Sequence, residues 1–175
     1  DLFSTWGYDY VIPPMIEYLE SLLTGTGRDL DLKTFKVVDF LTGRTMGVRA
    51  DITPQVARID AHSLNSDGVA RLCYAGTVVQ AQADSMLANR TPLSVGAELF
   101  GDSTSKADTE IVSLMIESLK SLGFDAVHVD GGSWVVCPPP IPTCTARVQR
   151  EDPLGWSLRA GAPVTRSTSA VVLQS

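Results

Sequence analysis

Two runs of small, apolar and β-prone residues dominate the middle of the chain. Residues 70–82 read ARLCYAGTVVQAQ, and residues 90–100 read RTPLSVGAELF, where the one acid is Glu98. Runs of this kind, joined by about eight residues, predict a long antiparallel hairpin. Upstream, a helix is expected to end near Trp6, with Gly7 as the left-handed residue beyond it. A strand follows over residues 9–12. Pro14 leads into a helix over residues 15–23, closed by Thr24-Gly25-Thr26-Gly27. Residues 34–40 and 45–49 predict a second hairpin through Leu41-Thr42-Gly43-Arg44. Thr53 is positioned to cap a helix whose first residue is Pro54, where a missing N–H costs nothing; that helix runs to about Ser63. Downstream, Ser105 is expected to cap a longer helix with Asp108 in its first turn. Its apolar stripe is Ile111, Leu114, Met115, Leu119 and Leu122, Gly123 ends it, and residues 126–129 form a last strand. Hairpins outnumber other connections, so the fold class is α+β, a mainly antiparallel sheet flanked by helices.

Composition narrows the class. The 175 residues are 44% hydrophobic and 19% charged, which suits a globular domain with a real core. Leu2-Phe3 read as mid-helix, so a helical beginning is expected upstream of Asp1. No run of about 18 apolar residues is present, so no membrane span is expected, and with no secretory signal in view a cytoplasmic location is. Three cysteines argue against a disulfide framework, and Cys73 reads as a reduced core residue. The net charge of −6 disfavours a nucleic-acid surface.

The chain changes character at Asp130. Residues 1–130 carry 10 Lys and Arg against 18 Asp and Glu; residues 131–175 carry 4 Arg, 2 acids, 6 of the 10 prolines and 9 Ser and Thr. We therefore divide the chain into a folded part, 1–130, and an irregular Pro/Ser/Thr/Arg-rich tail, 131–175, in which only residues 170–173 suggest a strand. Such a tail buries too little apolar surface to offset ordering entropy. It reads either as the product of a reading-frame slip in a GC-rich gene or as a natural disordered extension.

Several motifs in the first 130 residues resemble those of class II aminoacyl-tRNA synthetases, histidyl-tRNA synthetase above all. Gly7-Tyr8-Asp9-Tyr10-Val11-Ile12-Pro13-Pro14-Met15-Ile16-Glu17 resembles motif 1, with Pro14 at the proline that lies at that family's dimer interface. Arg49-Ala50-Asp51-Ile52-Thr53-Pro54 lies where the synthetase has Leu-Arg-Pro-Glu-Gly-Thr. The hairpin of residues 70–100 resembles motif 2. The wording Arg-Ala-Asp-x-Thr-Pro-Gln-Val-Ala-Arg, with Leu-Cys-Tyr-Ala-Gly-Thr-Val and Gly-Ala-Glu-Leu-Phe-Gly, is similar to one offshoot, the regulatory subunits of ATP phosphoribosyltransferase. The resemblance implies a truncated class II synthetase-like core. It also implies a regulatory subunit that binds a short-form catalytic subunit in a hetero-oligomer, self-associates near Pro14, and transmits inhibition by histidine. No cofactor and no nucleic-acid partner is implied. A divergent histidyl-tRNA synthetase fragment, activating histidine with ATP, is the alternative.

The resemblance also assigns residues. Where motif 2 ends Phe-Arg-x-Glu, this chain has Gln80 and Gln82, so the cation that answers the α-phosphate of ATP and the acid that places adenine are both replaced by neutral amides. No catalytic residue is expected. Asp51, Thr53 and Glu98 match residues that hold the α-amino group of histidine, a task that needs acceptors around an ammonium. Asp51 and Thr53 are read as helix capping, alone or combined with ligand contact. For Glu98 a surface acid and a buried functional one are alike open. Ser94 replaces a Gln that meets the substrate carboxylate. Arg90 matches an Arg that opens the second hairpin strand, a solvated residue or an anion contact, and Arg49 matches the Arg of Leu-Arg-Pro, structural or functional. His62 and His128 are isolated, and Cys137 and Cys144 do not make a zinc signature, so no metal site is expected.

Overall fold

The computed structural model describes residues 2–24, 28–64, 68–82, 89–124, 157–159 and 168–174. The long hairpin is its centre. Strands β5 (Ala70–Thr77) and β6 (Leu93–Phe100) pair antiparallel over their full length, Ala70 opposite Phe100 and Thr77 opposite Leu93. A short strand β1 (Asp9–Tyr10) joins β5 in parallel, the one parallel pairing among the described strands. The sheet is therefore mainly antiparallel, as the hairpins imply.

Side chains alternate across the pleat, so β5 and β6 present two different faces. Cys73, Ala97 and Leu99 point one way, against α5 (Ser105–Ser121), whose Ala107, Ile111, Leu114, Met115 and Leu119 are buried on them. Leu72, Tyr74 and Phe100 point the other way, against Ile52, Val56 and Ala57 of α4 (Thr53–Arg58) and the residue before it. Beyond Arg58 the helix widens into a π-helical turn, Ile59–Leu64. A second sheet is built from β2 (Ile16–Tyr18), β3 (Phe35–Val38) and β4 (Thr45–Val48), with β4 in the middle. The β3–β4 turn is fixed by Asp39, whose Oδ1 accepts from Leu41 N and whose Oδ2 accepts from Thr42 Oγ1, and by Gly43 at φ +69°.

Helix α1 (Leu2–Thr5) ends at Gly7, φ +80°, as its sequence implies. Several expectations are corrected. Residues 16–18 are strand rather than helix, because pairing with β4 outweighs local propensity, and only Leu19–Leu22 (α2) is helical. Helix α3 (Arg28–Lys33) goes unforeseen because it has no apolar stripe; Leu32 is exposed. Thr53 and Ser105 are first helical residues rather than caps; the cap positions are Ile52 and Thr104. Leu122 lies outside the buried stripe of α5, half exposed at the cap, while Gly123 ends the helix at φ +88°. In the tail, β8 (Thr168–Gln174) pairs with β6 from Ser94 to Phe100, and β7 (Ser157–Arg159) pairs with β8. This region is not wholly irregular: residues 170–173 are β-prone, and β6 offers a backbone edge that would otherwise lack a partner. The expected strand at 126–129 lies outside the described residues.

Candidate functional site

The loop between β4 and α4 carries three of the residues of interest, Arg49, Asp51 and Thr53, onto one face of the central sheet. Asp51 is partly exposed, and its Oδ1 accepts a hydrogen bond from Thr53 N at 3.1 Å. Asp51, rather than Thr53, therefore satisfies a free N–H at the start of α4. That frees the Thr53 hydroxyl, which stands 3.1 Å from Tyr74 Oη, both groups buried.

Beneath this loop, Ser94, Gly96 and Glu98 follow one another on β6, opposite Gly76, Tyr74 and Leu72 of β5. Two glycines shape the surface. A Cβ at Gly96 would overlap the Tyr74 ring and hydroxyl, and one at Gly76 would overlap Arg49 Nη2. Glycine inside a strand marks such a close approach. Glu98 is fully buried, so of its two readings the buried acid is the one observed. Among the described residues neither of its carboxyl oxygens, nor Ser94 Oγ, makes a hydrogen bond of full geometry, though the Thr53 and Tyr74 hydroxyls lie near enough to the carboxyl to favour its charge. Burial, and then the nearby Asp51 charge, push the Glu98 carboxyl up to about 8, so it is protonated at neutral pH. Burial likewise raises the Tyr74 phenol, with Glu98 and Asp51 adding to the shift. Asp51, Thr53 and Glu98 thus lie close to Tyr74, which the sequence reading did not single out, while Ser94 stands further along β6, opposite Gly76. The signal for Tyr74 was present: it pairs directly with a mid-strand glycine.

The end of the hairpin is separate. Gln80 is buried, its N donates to Arg90 O at 2.8 Å, and it bridges to Thr34. Gln82 is exposed. Arg90 turns back on its own hairpin: Nε donates to Gln80 O at 3.0 Å and Nη2 to Ala81 O at 2.9 Å, with the guanidinium 5.1 Å from the Phe35 ring centre. Gln80 and Gln82 are both neutral amides, so among the described residues Arg90 is the cation at this end of the hairpin, and its guanidinium is spent on two backbone carbonyls.

The segment with Pro14 borders a cleft of about 210 Å³ lined by Pro13, Pro14, Glu17, Gln55, Arg58, Ile59 and His62. Gln55 Nε2 donates to Pro14 O at 2.7 Å and to Glu17 Oε2 at 3.0 Å, and Arg58 pairs with Glu17. Arg49 Nη1 donates to Pro13 O at 2.7 Å. The motif-1-like segment and the loop bearing Asp51 are thereby tied together by residues on both sides of that loop. Among the described residues, no group of three His, Cys, Asp or Glu is arranged to hold a metal ion, and no helix is long and apolar enough to cross a membrane.

Comparison with known proteins places these features. The histidyl-tRNA synthetase family profile matches residues 1–139. An ATP phosphoribosyltransferase regulatory subunit from Cellvibrio japonicus is 58% identical over 132 residues, which is 75% of this chain and 33% of that protein. The chain therefore spans about a third of the length of the curated relatives it matches. Among solved structures, an ATP phosphoribosyltransferase regulatory subunit/histidyl-tRNA synthetase from Bacillus halodurans C superposes with a TM-score of 0.66 at 35% identity, over 75% of this chain and 33% of that one. A pyrrolysyl-tRNA synthetase from Desulfitobacterium hafniense superposes with a TM-score of 0.76 over 99% of this chain and 62% of that one; at 15% identity it shares the fold alone.

Proposed function

The chain belongs to the histidyl-tRNA synthetase family, and from that premise we propose that it serves as part of a non-catalytic regulatory subunit of ATP phosphoribosyltransferase, in the first step of histidine biosynthesis. Its curated relatives at 57–58% identity bear the name of that subunit. The observation that carries the reading is the pair Gln80 and Gln82. Adenylate formation needs charge at the reacting phosphate, and a neutral amide buried against its own strand supplies none. The scaffold remains while the ATP grip is gone.

The partner is then a short-form catalytic subunit, and histidine is the effector, held by Asp51, Thr53, Ser94 and Glu98. Regulation requires histidine to bind one assembly state better than another. Self-association runs through the Pro14 cleft, and the assembly works in the cytoplasm. Residues 131–175 are for the most part the product of a frame slip; the matched regions of the curated relatives, about 132 residues long, support a boundary near there, and the family profile ends at residue 139. Translating the source gene in its other frames and finding no continuation of the family sequence would reject the slip.

The test is reconstitution. The chain is mixed with a short-form phosphoribosyltransferase, and product formation is followed with and without histidine. Activity should appear only in the mixture and fall as histidine is added. Histidine-dependent ATP–pyrophosphate exchange should be absent; clear exchange would instead establish a histidine-activating enzyme.

A further inference from the structure

Arg49 is a buried cation without an anion. Only 6% of the residue is exposed, yet among the described residues no carboxylate lies within ion-pair reach. Nη1 donates to Pro13 O at 2.7 Å and Nε to Thr77 O at 3.0 Å. The third nitrogen, Nη2, lies over Gly76, which is paired with Ser94, and it has no acceptor. Burial pulls the guanidinium below its usual range, as expected where carbonyl dipoles stand in for a counter-ion. Two residues on, Asp51 is the mirror case. One oxygen is used by Thr53 N, and among the described residues no cation pairs with the carboxylate. The two charges are close in sequence but held apart, Arg49 by two backbone carbonyls and Asp51 by a backbone N–H.

Reach decides which groups can serve one small ligand. Ser94 and Glu98 are four residues apart on β6, roughly 13 Å along the strand. Arg49 and Asp51 leave the same loop at most about 7 Å apart. A cation and an anion borne on one loop, neither paired with an opposite charge among the described residues, offer a zwitterion one donor group for its carboxylate and one acceptor group for its ammonium.

We propose that Arg49 supplies the carboxylate-binding group of an α-amino-acid site whose ammonium end is Asp51, taking over the task that Ser94 is too short and weak to perform. The proposal rests on the amino-acid site assigned above and adds a residue to it. Gly76 is part of the same arrangement, because any side chain there would expel the guanidinium.

The test compares L-histidine with L-histidinol, which keeps the ammonium and the imidazole and lacks the carboxylate, by isothermal titration of the full 175-residue chain. Arg49→Gln should weaken histidine by about tenfold or more and leave histidinol within about twofold. Adding Ser94→Gln to that variant should restore part of the histidine affinity. Should Arg49→Gln fail to fold, Arg49→Lys, which keeps the charge and loses the fork, should still weaken histidine more than histidinol. Equal losses for both ligands, or no loss for either, overturn the role of Arg49 and leave the site standing. An unaltered chain that binds neither ligand overturns the site and this role with it.

Discussion

The two faces of the central sheet are built from alternate residues of the same two strands, and each buries an apolar cluster, yet only one of them also buries polar groups left unpaired. On the α5 face, Cys73, Ala97 and Leu99 meet Ile111, Leu114 and Met115, apolar on apolar. The charges at its edge are answered: Arg71 Nε and Nη2 donate to the two Glu110 oxygens at 2.7 and 2.8 Å, and Tyr8 Oη donates to Glu110 Oε1 at 3.0 Å. On the α4 side, the Glu98 carboxyl oxygens, Ser94 Oγ and Gln55 Oε1 are buried with no hydrogen-bond partner among the described residues, and Arg49 is buried with no counter-ion among them. Buried polar groups left unpaired cost about 1–3 kcal/mol each, and natural proteins keep them mainly where they do something. One face holds the fold together, and the other is held together by it.

The largest expected effect comes from damaging the apolar face. Leu114→Ala leaves a cavity in a fully buried stripe and should cost about 2–5 kcal/mol in urea unfolding. If that face only stabilises, the variant that remains folded should bind histidine with unchanged affinity.

Glu98→Gln acts in the opposite direction. The unfolded chain ionises this carboxyl near the usual carboxylate range, whereas the folded chain keeps its proton up to about 8. Stability therefore falls as pH rises from about 4.5 to about 8 and then levels. Gln removes that slope. Thermal melts should show the variant more stable at pH 8, by something on the order of a few kcal/mol, and converging with the parent near pH 4. Parallel curves would mean that Glu98 is not a stored cost.

Gly96→Ala tests the packing of the same site. The added Cβ forces the Tyr74 ring aside and strains its contact with Thr53, for about 1–3 kcal/mol and a matching loss of ligand affinity. A melt shifted with no change in affinity would detach Tyr74 from the site.

The smallest effect belongs to the partly exposed pair. Arg71 holds the Glu110 carboxyl below its usual range, so its contribution is present above about pH 4.5 and is lost as pH falls further. Glu110→Gln should cost about 1 kcal/mol or less at neutral pH and flatten the acid limb of the stability curve.

What could be read without coordinates follows from periodicity and chemistry. The long hairpin, the second hairpin and the stripe of α5 are each a local pattern that repeats over enough residues to name its own geometry. Gln80 and Gln82 announce the missing charges because losing a charge is a property of the residue, whatever surrounds it. The errors sit where a partner elsewhere in the chain decided the outcome. Residues 16–18 are strand because β4 lies beside them, and Thr53 gives up its capping role because Tyr74 takes its hydroxyl.

The sequence alone thus determined the family, the long hairpin and the neutral residues at positions 80 and 82, since short-range patterns and side-chain charge do not depend on context. Only the tertiary structure decided that Glu98 is buried and protonated, that Tyr74 stands against Thr53, and that Arg49 meets no carboxylate among the described residues. Burial, proton affinity and pairing are properties of an environment, and strands far apart in the chain must meet before that environment exists.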